Sequence, residues 1–138
     1  MIRYLLDTNV ISEAIKALPN KNVTLKLKIY QQEIATASPV WHELQFGCLR
    51  LPVSRKRSMV QSFLSDVIKS TLEIIPYDEA AAEWHARQRA ILTKGGRQPA
   101  FVDGQIAAIA KVNQLILVTR NTADYEGFSD LQIENWHE

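Results

Sequence analysis

At 138 residues the chain is bounded to one domain of ordinary size, residues 1–138, which on folding hides roughly two thirds of the surface its unfolded form exposes. With 46% hydrophobic and 22% charged residues it is neither a disordered chain nor a low-complexity repeat, and a single cysteine, Cys48, excludes an internal disulfide or a Cys-clustered metal site. The net charge of +1 hides an asymmetry: residues 1–120 carry all sixteen basic and ten acidic residues, a balance of +6, which either attracts a polyanion or solvates the surface. No run approaches the ~18 apolar residues of a membrane span, and Asp7 interrupts the N-terminus before a signal-peptide core can form. The expected setting is cytoplasmic and reducing, with no membrane partner.

Ile2 to Leu6, bounded by Asp7, Thr8 and Asn9, has the length and apolarity of a buried strand. A helix follows to about Ala17, ending before Pro19, and Asn22 to Gln31 forms a second, amphipathic helix carrying Val23, Leu25, Leu27, Ile29 and Tyr30. Glu33 to Ala37 is a short strand. Ser38-Pro39 predicts a helix start, with Ser38 as the cap, and the helix runs to about Leu51 with Val40, Leu44, Cys48 and Leu51 at helical spacing. After Pro52, Ser54 opens another helix through about Thr71, and Leu72 to Ile75 is the next strand. Asp78 caps a helix to about Thr93, and the Gly95-Gly96 loop leads to one from roughly Ala100 to Val112. Leu115 to Thr119 is the clearest strand, with a short final one near Leu131 to Glu134. Continuous apolar strands alternating with helices predict the α/β class, with a mainly parallel sheet covered on both faces. Ligands of such sheets bind outside the carboxyl ends of the strands, often where strand order reverses, which points to Asp7 and to the residues after Thr119.

Four acids are the candidates for chemistry. Asp7 stands at a strand end, where it either meets solvent for function or caps the next helix; Glu43 and Asp103 each sit in the first turns of a helix, where compensation of the helix dipole is the plain alternative. Asp103 shares a helix side with Ala107 and Ala110, small enough for close approach to the sheet, while Gly104 weakens that helix without an evident local reason. Thr119, Asn121 and Asp124 add oxygen donors near the same sheet edge, or form an ordinary turn. Carboxylates at the ends of several elements, with no Cys/His cluster beside them, match the all-oxygen surroundings of Mg²⁺ or Mn²⁺, and without a cation they would repel one another. Such ions serve phosphoryl chemistry. No GxxxxGK[ST], GxGxxG or GxSxG occurs, His42, His85 and His137 read as surface or packing residues, and the DxD of haloacid-dehalogenase-type phosphatases fails at Asn9.

The segments LLDTNVISE (residues 5–13 with Tyr4 before them), SPVWHELQFG (38–47), PYDEAAAEWHARQRA (76–90), FVDGQIAAIAKVNQLILVTRNTADY (101–125) and the final NWHE together resemble PIN-domain ribonucleases. The resemblance is to the VapC-like toxins of type II toxin–antitoxin pairs, and to their FitB-type members in particular. It implies a three-layer α/β/α PIN-like domain with a central, mainly parallel sheet of four to five strands. The family's first three acids fall on Asp7, Glu43 and Asp103, and the fourth on either Asn121 or Asp124. The resemblance further implies that Asp7, Asp103 and one of Asp124 or Asn121 hold Mg²⁺ or Mn²⁺. Glu43 would complete the site or orient and deprotonate the attacking water, and Asn9 and Thr119 would support the acids. The basic groups Arg50, Arg55, Lys56 and Arg57, and Arg87, Arg89, Lys94 and Arg97, are candidates for binding RNA phosphates, or are solvated faces. The leading expectation is a metal-dependent endoribonuclease toxin, a homodimer held by a cognate small antitoxin with a DNA-binding domain. The alternatives are a weakly or non-catalytic PIN-like binding module acting with such a partner, left open by Asn121, and a nuclease that prefers DNA.

Overall fold

The computed structural model describes residues 1–138. Its five strands are β1 (Tyr4–Leu6), β2 (Ile34–Ala37), β3 (Glu73–Ile75), β4 (Ile116–Val118) and β5 (Ile133–Glu134). They form one sheet in the order β3-β2-β1-β4-β5, parallel at every pairing. The helices are α1 (Thr8–Ile15), α2 (Lys21–Ile29), α3 (Ser38–Leu49), α4 (Arg55–Ser62), α5 (Lys69–Thr71), α6 (Glu79–Lys94) and α7 (Phe101–Val112). This is the α/β architecture expected. None of the helices is long and apolar enough to cross a membrane.

The first strand made is the central one. From β1 the chain steps outward through β2 and β3, then returns to lay β4 on the other side, so strand order reverses beside β1. Every residue of β1 and β2 is buried, as strands covered on both faces must be, and Leu5 and Leu117 face each other across the β1–β4 register with no exposure. Ala107, Ala108 and Ala110 are also fully buried, so the small side chains of α7 do bring it close to the sheet.

Two local expectations need correction. Ser38 does not cap α3: Ala37 is the cap residue, with no side-chain bond, and the Ser38 hydroxyl accepts from the Tyr77 backbone N–H at 3.3 Å, while Pro39 does occupy the first turn. The helix predicted over 54–71 contains a π-helical segment, Phe63–Ile68, between α4 and α5. Leu64, Ile68 and Leu72 are buried at intervals of four, a spacing that drifts by about 40° per step around an α-helix, and the wider π turn offsets that drift. The helix α2 is amphipathic as expected: Val23 is buried and Leu27 and Tyr30 pack against the core, while Leu25 and Ile29 are exposed.

Candidate active site

Asp7 leaves the carboxyl end of β1 with extended backbone and caps α1, its Oδ1 accepting from the Thr8 N–H at 2.8 Å. Its other oxygen is free for different work. Oδ2 accepts from the Thr119 hydroxyl at 2.8 Å, the Tyr125 phenol at 3.2 Å and Asn9 Nδ2 at 3.5 Å. Capping and participation in the site are thus compatible, one oxygen for each. Asn9 ties the two strand ends together, because its Oδ1 accepts from the Arg120 N–H at 3.0 Å and its Nδ2 lies 3.4 Å from Thr119 Oγ1. Thr119, fully buried, also accepts from the Asn121 N–H at 3.1 Å.

Asp103 arrives from the first turn of α7, half-buried, and its Oδ1 accepts from the same Tyr125 phenol at 3.4 Å. The phenol has one proton and two carboxylates to serve, so it joins Asp7 to Asp103 without neutralising either. Burial, then the charges of Asp124 and Asp7, push the Asp103 carboxyl up to about 6, against a smaller lowering by the Tyr125 hydrogen bond. Burial, followed by the charges of Asp7 and Asp103, holds the Tyr125 phenol protonated far above its ordinary range. Gly104 now has its reason: a Cβ there would run into the His85 ring, which lies against α7 and is fixed by the Tyr77 hydroxyl 2.8 Å from Nδ1. The close seating of α7 against α6 therefore depends on the glycine beside Asp103.

Glu43, on α3, is exposed, and its Oε2 accepts from the Thr8 hydroxyl at 3.1 Å. Asp124 lies in a 3₁₀ turn, Thr122–Tyr125, that begins at Asn121, and it shares with Asp103 a cleft of about 780 Å³ that Arg97 also lines. The basic candidates divide. Arg50 lines a recess of about 390 Å³ with Thr8 and Glu43, Arg97 lines the Asp103 cleft, and Arg89 and Lys94 line a third recess. Arg55, Lys56 and Arg57 crowd the first turn of α4, where the helix dipole disfavours cations, and Arg87 lines none of these recesses.

The protein's ion pairs are Arg3–Glu33, Lys16–Glu13 and His137–Glu13, all away from this cluster, so Asp7, Glu43, Asp103 and Asp124 have no basic partner within 4.0 Å. Their donors are all oxygens, as a hard divalent cation requires. No three acidic or histidine side chains converge closely enough to hold an ion by themselves. That arrangement fits Mg²⁺, which keeps much of its water and takes one or two carboxylates, better than a closed protein cage.

With this geometry in hand, residues 4–130 match the PIN domain family. The chain belongs to that family. The PIN domain described here is 31% identical over 137 residues to toxin FitB of Neisseria gonorrhoeae, covering 97% of this chain and 99% of that one. It is 30% identical to the tRNA(fMet)-specific endonuclease VapC of Shigella flexneri, over 99% of both chains. Among solved structures it resembles FitAB bound to a DNA fragment, with a TM-score of 0.90 at 28% identity over 98% of this chain and 96% of that one. It also resembles DNA-bound VapBC from Salmonella typhimurium, with a TM-score of 0.87 at 27% identity over 99% of each.

Two site residues of this PIN domain escaped the sequence reading. Thr8 looked like a helix-start residue and is also the hydrogen-bond donor to Glu43. Tyr125 carries no role in the sequence analysis beyond its place in the segment 101–125. The only signal for it is a phenol, rather than a plain ring, immediately after Asp124.

Proposed function

We propose that this chain is a Mg²⁺- or Mn²⁺-dependent endoribonuclease, the toxin of a toxin–antitoxin pair. The observation that carries the reading is the joining of Asp7 and Asp103 by one neutral phenol at the reversal of strand order, with no cationic side chain to balance them. Relatives named as ribonucleases, including the tRNA(fMet)-specific endonuclease, support RNA as the substrate.

Asp7, Asp103 and Asp124 are the residues that would hold the ion, directly or through its waters. Asp124 is preferred to Asn121 for the fourth position because its charge is the largest electrostatic influence on Asp103 and it shares the cleft, whereas the exposed Asn121 offers no charge. The bound ion would supply charge screening and a more acidic water. Glu43, steadied by Thr8, orients the attacking water and accepts its proton; Thr119 and Asn9 fix the Asp7 carboxylate; Arg97 and Arg50, on two sides of the acids, hold the flanking phosphates. The partner in this reading is a small antitoxin with a DNA-binding domain. The exposed Phe46, Leu49 and Met59 of α3 and α4 give it apolar surface, and the exposed Leu25 and Ile29 of α2 offer a face for a second copy of the chain.

The test is cleavage of a mixed structured-RNA pool by partner-free protein with Mg²⁺ or Mn²⁺, beside EDTA, an Asp7→Asn variant and single-stranded DNA. Cleavage of RNA lost in both controls is the expected result. A folded protein that binds the ion and leaves RNA and DNA uncut would instead be a binding module, with Asn121→Asp as the follow-up that asks whether a missing charge is the cause. Preferential cutting of DNA would overturn the substrate assignment.

A further inference from the structure

Across the Gln98–Pro99 segment from the Asp103 cleft lies a second recess of about 750 Å³. Gln98 and Pro99 line both, so the two cavities share a rim. Ala86 and Ala90 of α6 line it together with Arg89, Lys94 and Phe101. Phe101 is the first residue of α7, two before Asp103, and half of it is exposed (50%). One of its neighbours is the buried His85 ring, with centroids 4.8 Å apart, and His85 is itself fixed by Tyr77. The Arg89 guanidinium lies over the Phe101 ring, 5.2 Å from its centroid. Neither Arg89 nor Lys94 has a carboxylate partner.

These features select one ligand chemistry. A lone phosphate would use the cations and leave the ring in water; an apolar peptide would bury the ring and leave two charges unbalanced. A nucleotide satisfies both, because its base presents a π face to the guanidinium and ring while its phosphate meets the ammonium. We propose that this recess is a subsite for one unpaired nucleobase flanking the cut phosphodiester, with the base resting on the Arg89–Phe101 pair and Lys94 on the adjoining phosphate. The subsite deepens the ribonuclease reading and rests on it. Because Phe101 and Asp103 occupy the same turn of α7, the base held by one is in fixed relation to the bond cut at the other, so the recess would choose where the RNA is cut.

The experiment is a cycle between protein and substrate. An RNA oligonucleotide with a mapped cut is compared with versions carrying an abasic residue at each flanking position, using wild type, Phe101→Leu and Arg89→Gln. In the wild type, one abasic position is expected to raise KM about tenfold, in keeping with the loss of one stacked base. Phe101→Leu is expected to raise KM for intact RNA by a similar factor with kcat within about twofold, and the abasic residue should then add nothing. Arg89→Gln, a surface change that leaves packing intact, should behave in the same way with a smaller factor. Additive effects of protein and substrate changes, or an unchanged KM in both variants, would overturn the subsite while leaving the nuclease reading in place. Loss of self-association by Phe101→Leu in sedimentation, with KM unchanged, would assign the recess to a second copy of the chain instead. No cleavage by the wild type would overturn the nuclease reading and the subsite together.

Discussion

Asp7 and Glu13 bracket the same short helix, α1, and both are almost fully buried, at 6% and 5% exposure, yet their surroundings are opposite. Glu13 receives Lys16 Nζ at 2.9 Å and the Asn20 N–H at 2.8 Å, and His137 Nε2 lies 3.4 Å from it without a hydrogen bond. The Lys16 ammonium, followed by the Asn20 N–H, holds its carboxyl below the ordinary range. Asp7 receives only neutral donors and shares the Tyr125 phenol with a second acid. A carboxylate that braces the fold is thus supplied with its cation by the chain. At the sheet edge the chain supplies orientation and no charge, as the proposed binding of an external cation requires. The contrast is a physical signature of function that burial alone does not give, since both residues are equally hidden.

The largest break in this comparison comes from the acids themselves. Asp7→Asn should lower metal-dependent RNA cleavage at least about a hundredfold while the circular dichroism spectrum is unchanged; Glu13→Gln should leave kcat near that of the wild type and lower the thermal midpoint at pH 7. A cleaving Asp7→Asn protein would remove that residue from the chemistry. Next is Gly104→Ala, which attacks the functional side through its backbone. Alanine gains about 1 kcal/mol of helix propensity, but overpacking costs roughly 1–3 kcal/mol, and the His85 ring is pinned by Tyr77 and cannot swing aside. Urea unfolding should therefore show a net loss of stability, with activity per folded molecule also reduced as Asp103 is displaced. Tyr125→Phe keeps the ring and deletes the shared proton. Its expected effect is a rise of about three- to tenfold in the metal concentration for half-maximal cleavage, the worth of one hydrogen bond, with metal binding by calorimetry weakened in parallel.

The smallest effects are in the pH dependence of the metal-free protein, where the two kinds of acid should respond with opposite signs. Asp103 has its folded pKa raised from 3.8 to about 6, so the stability it contributes is complete below about pH 4 and is lost as pH rises through 6. Asp103→Asn in EDTA should thus melt higher than the wild type at pH 7 to 8, with the gap closing toward pH 4. Glu13, held below 4.5, contributes stability above that value and loses it as pH falls, so the deficit of Glu13→Gln should be present at pH 7 and shrink in acid. Thermal melts across pH 4 to 8 read both.

Much of this layout is legible from the chain alone, for reasons that also mark the limit. β1 and β4 are unbroken apolar runs ending at Asp7 and Thr119, and β2 is one interrupted only by Thr36 and ending at Ser38, a pattern that suits a parallel sheet buried on both faces. The caps of α1 and α6, Asp7 and Asp78, are local and were readable as such. What failed was whatever depended on distant partners. Ser38 was read as a cap because its competitor, the Tyr77 N–H, lies 39 residues away. Gly104 was visible as an anomaly, but the His85 ring that explains it belongs to another helix. Tyr125 was the costliest miss, since a turn's last aromatic becomes a site residue only through Asp7, 118 residues earlier.

The placement of β1 at the centre of the sheet also sets a timetable. Asp7 leaves the ribosome well before the groups that orient it: the hydroxyl of Thr119 comes 112 residues later and the phenol of Tyr125 later still. Contacts so far apart in sequence close late in folding. A nascent chain that has reached Gln114 already contains Asp7, Glu43 and Asp103, but β1 has no neighbour on the β4 side and the Thr119 and Tyr125 that join the acids are missing. Translation alone therefore delays assembly of the centre until β4 and the Tyr125 turn have been synthesised, an interval in which an unfinished molecule carries the acids without the site.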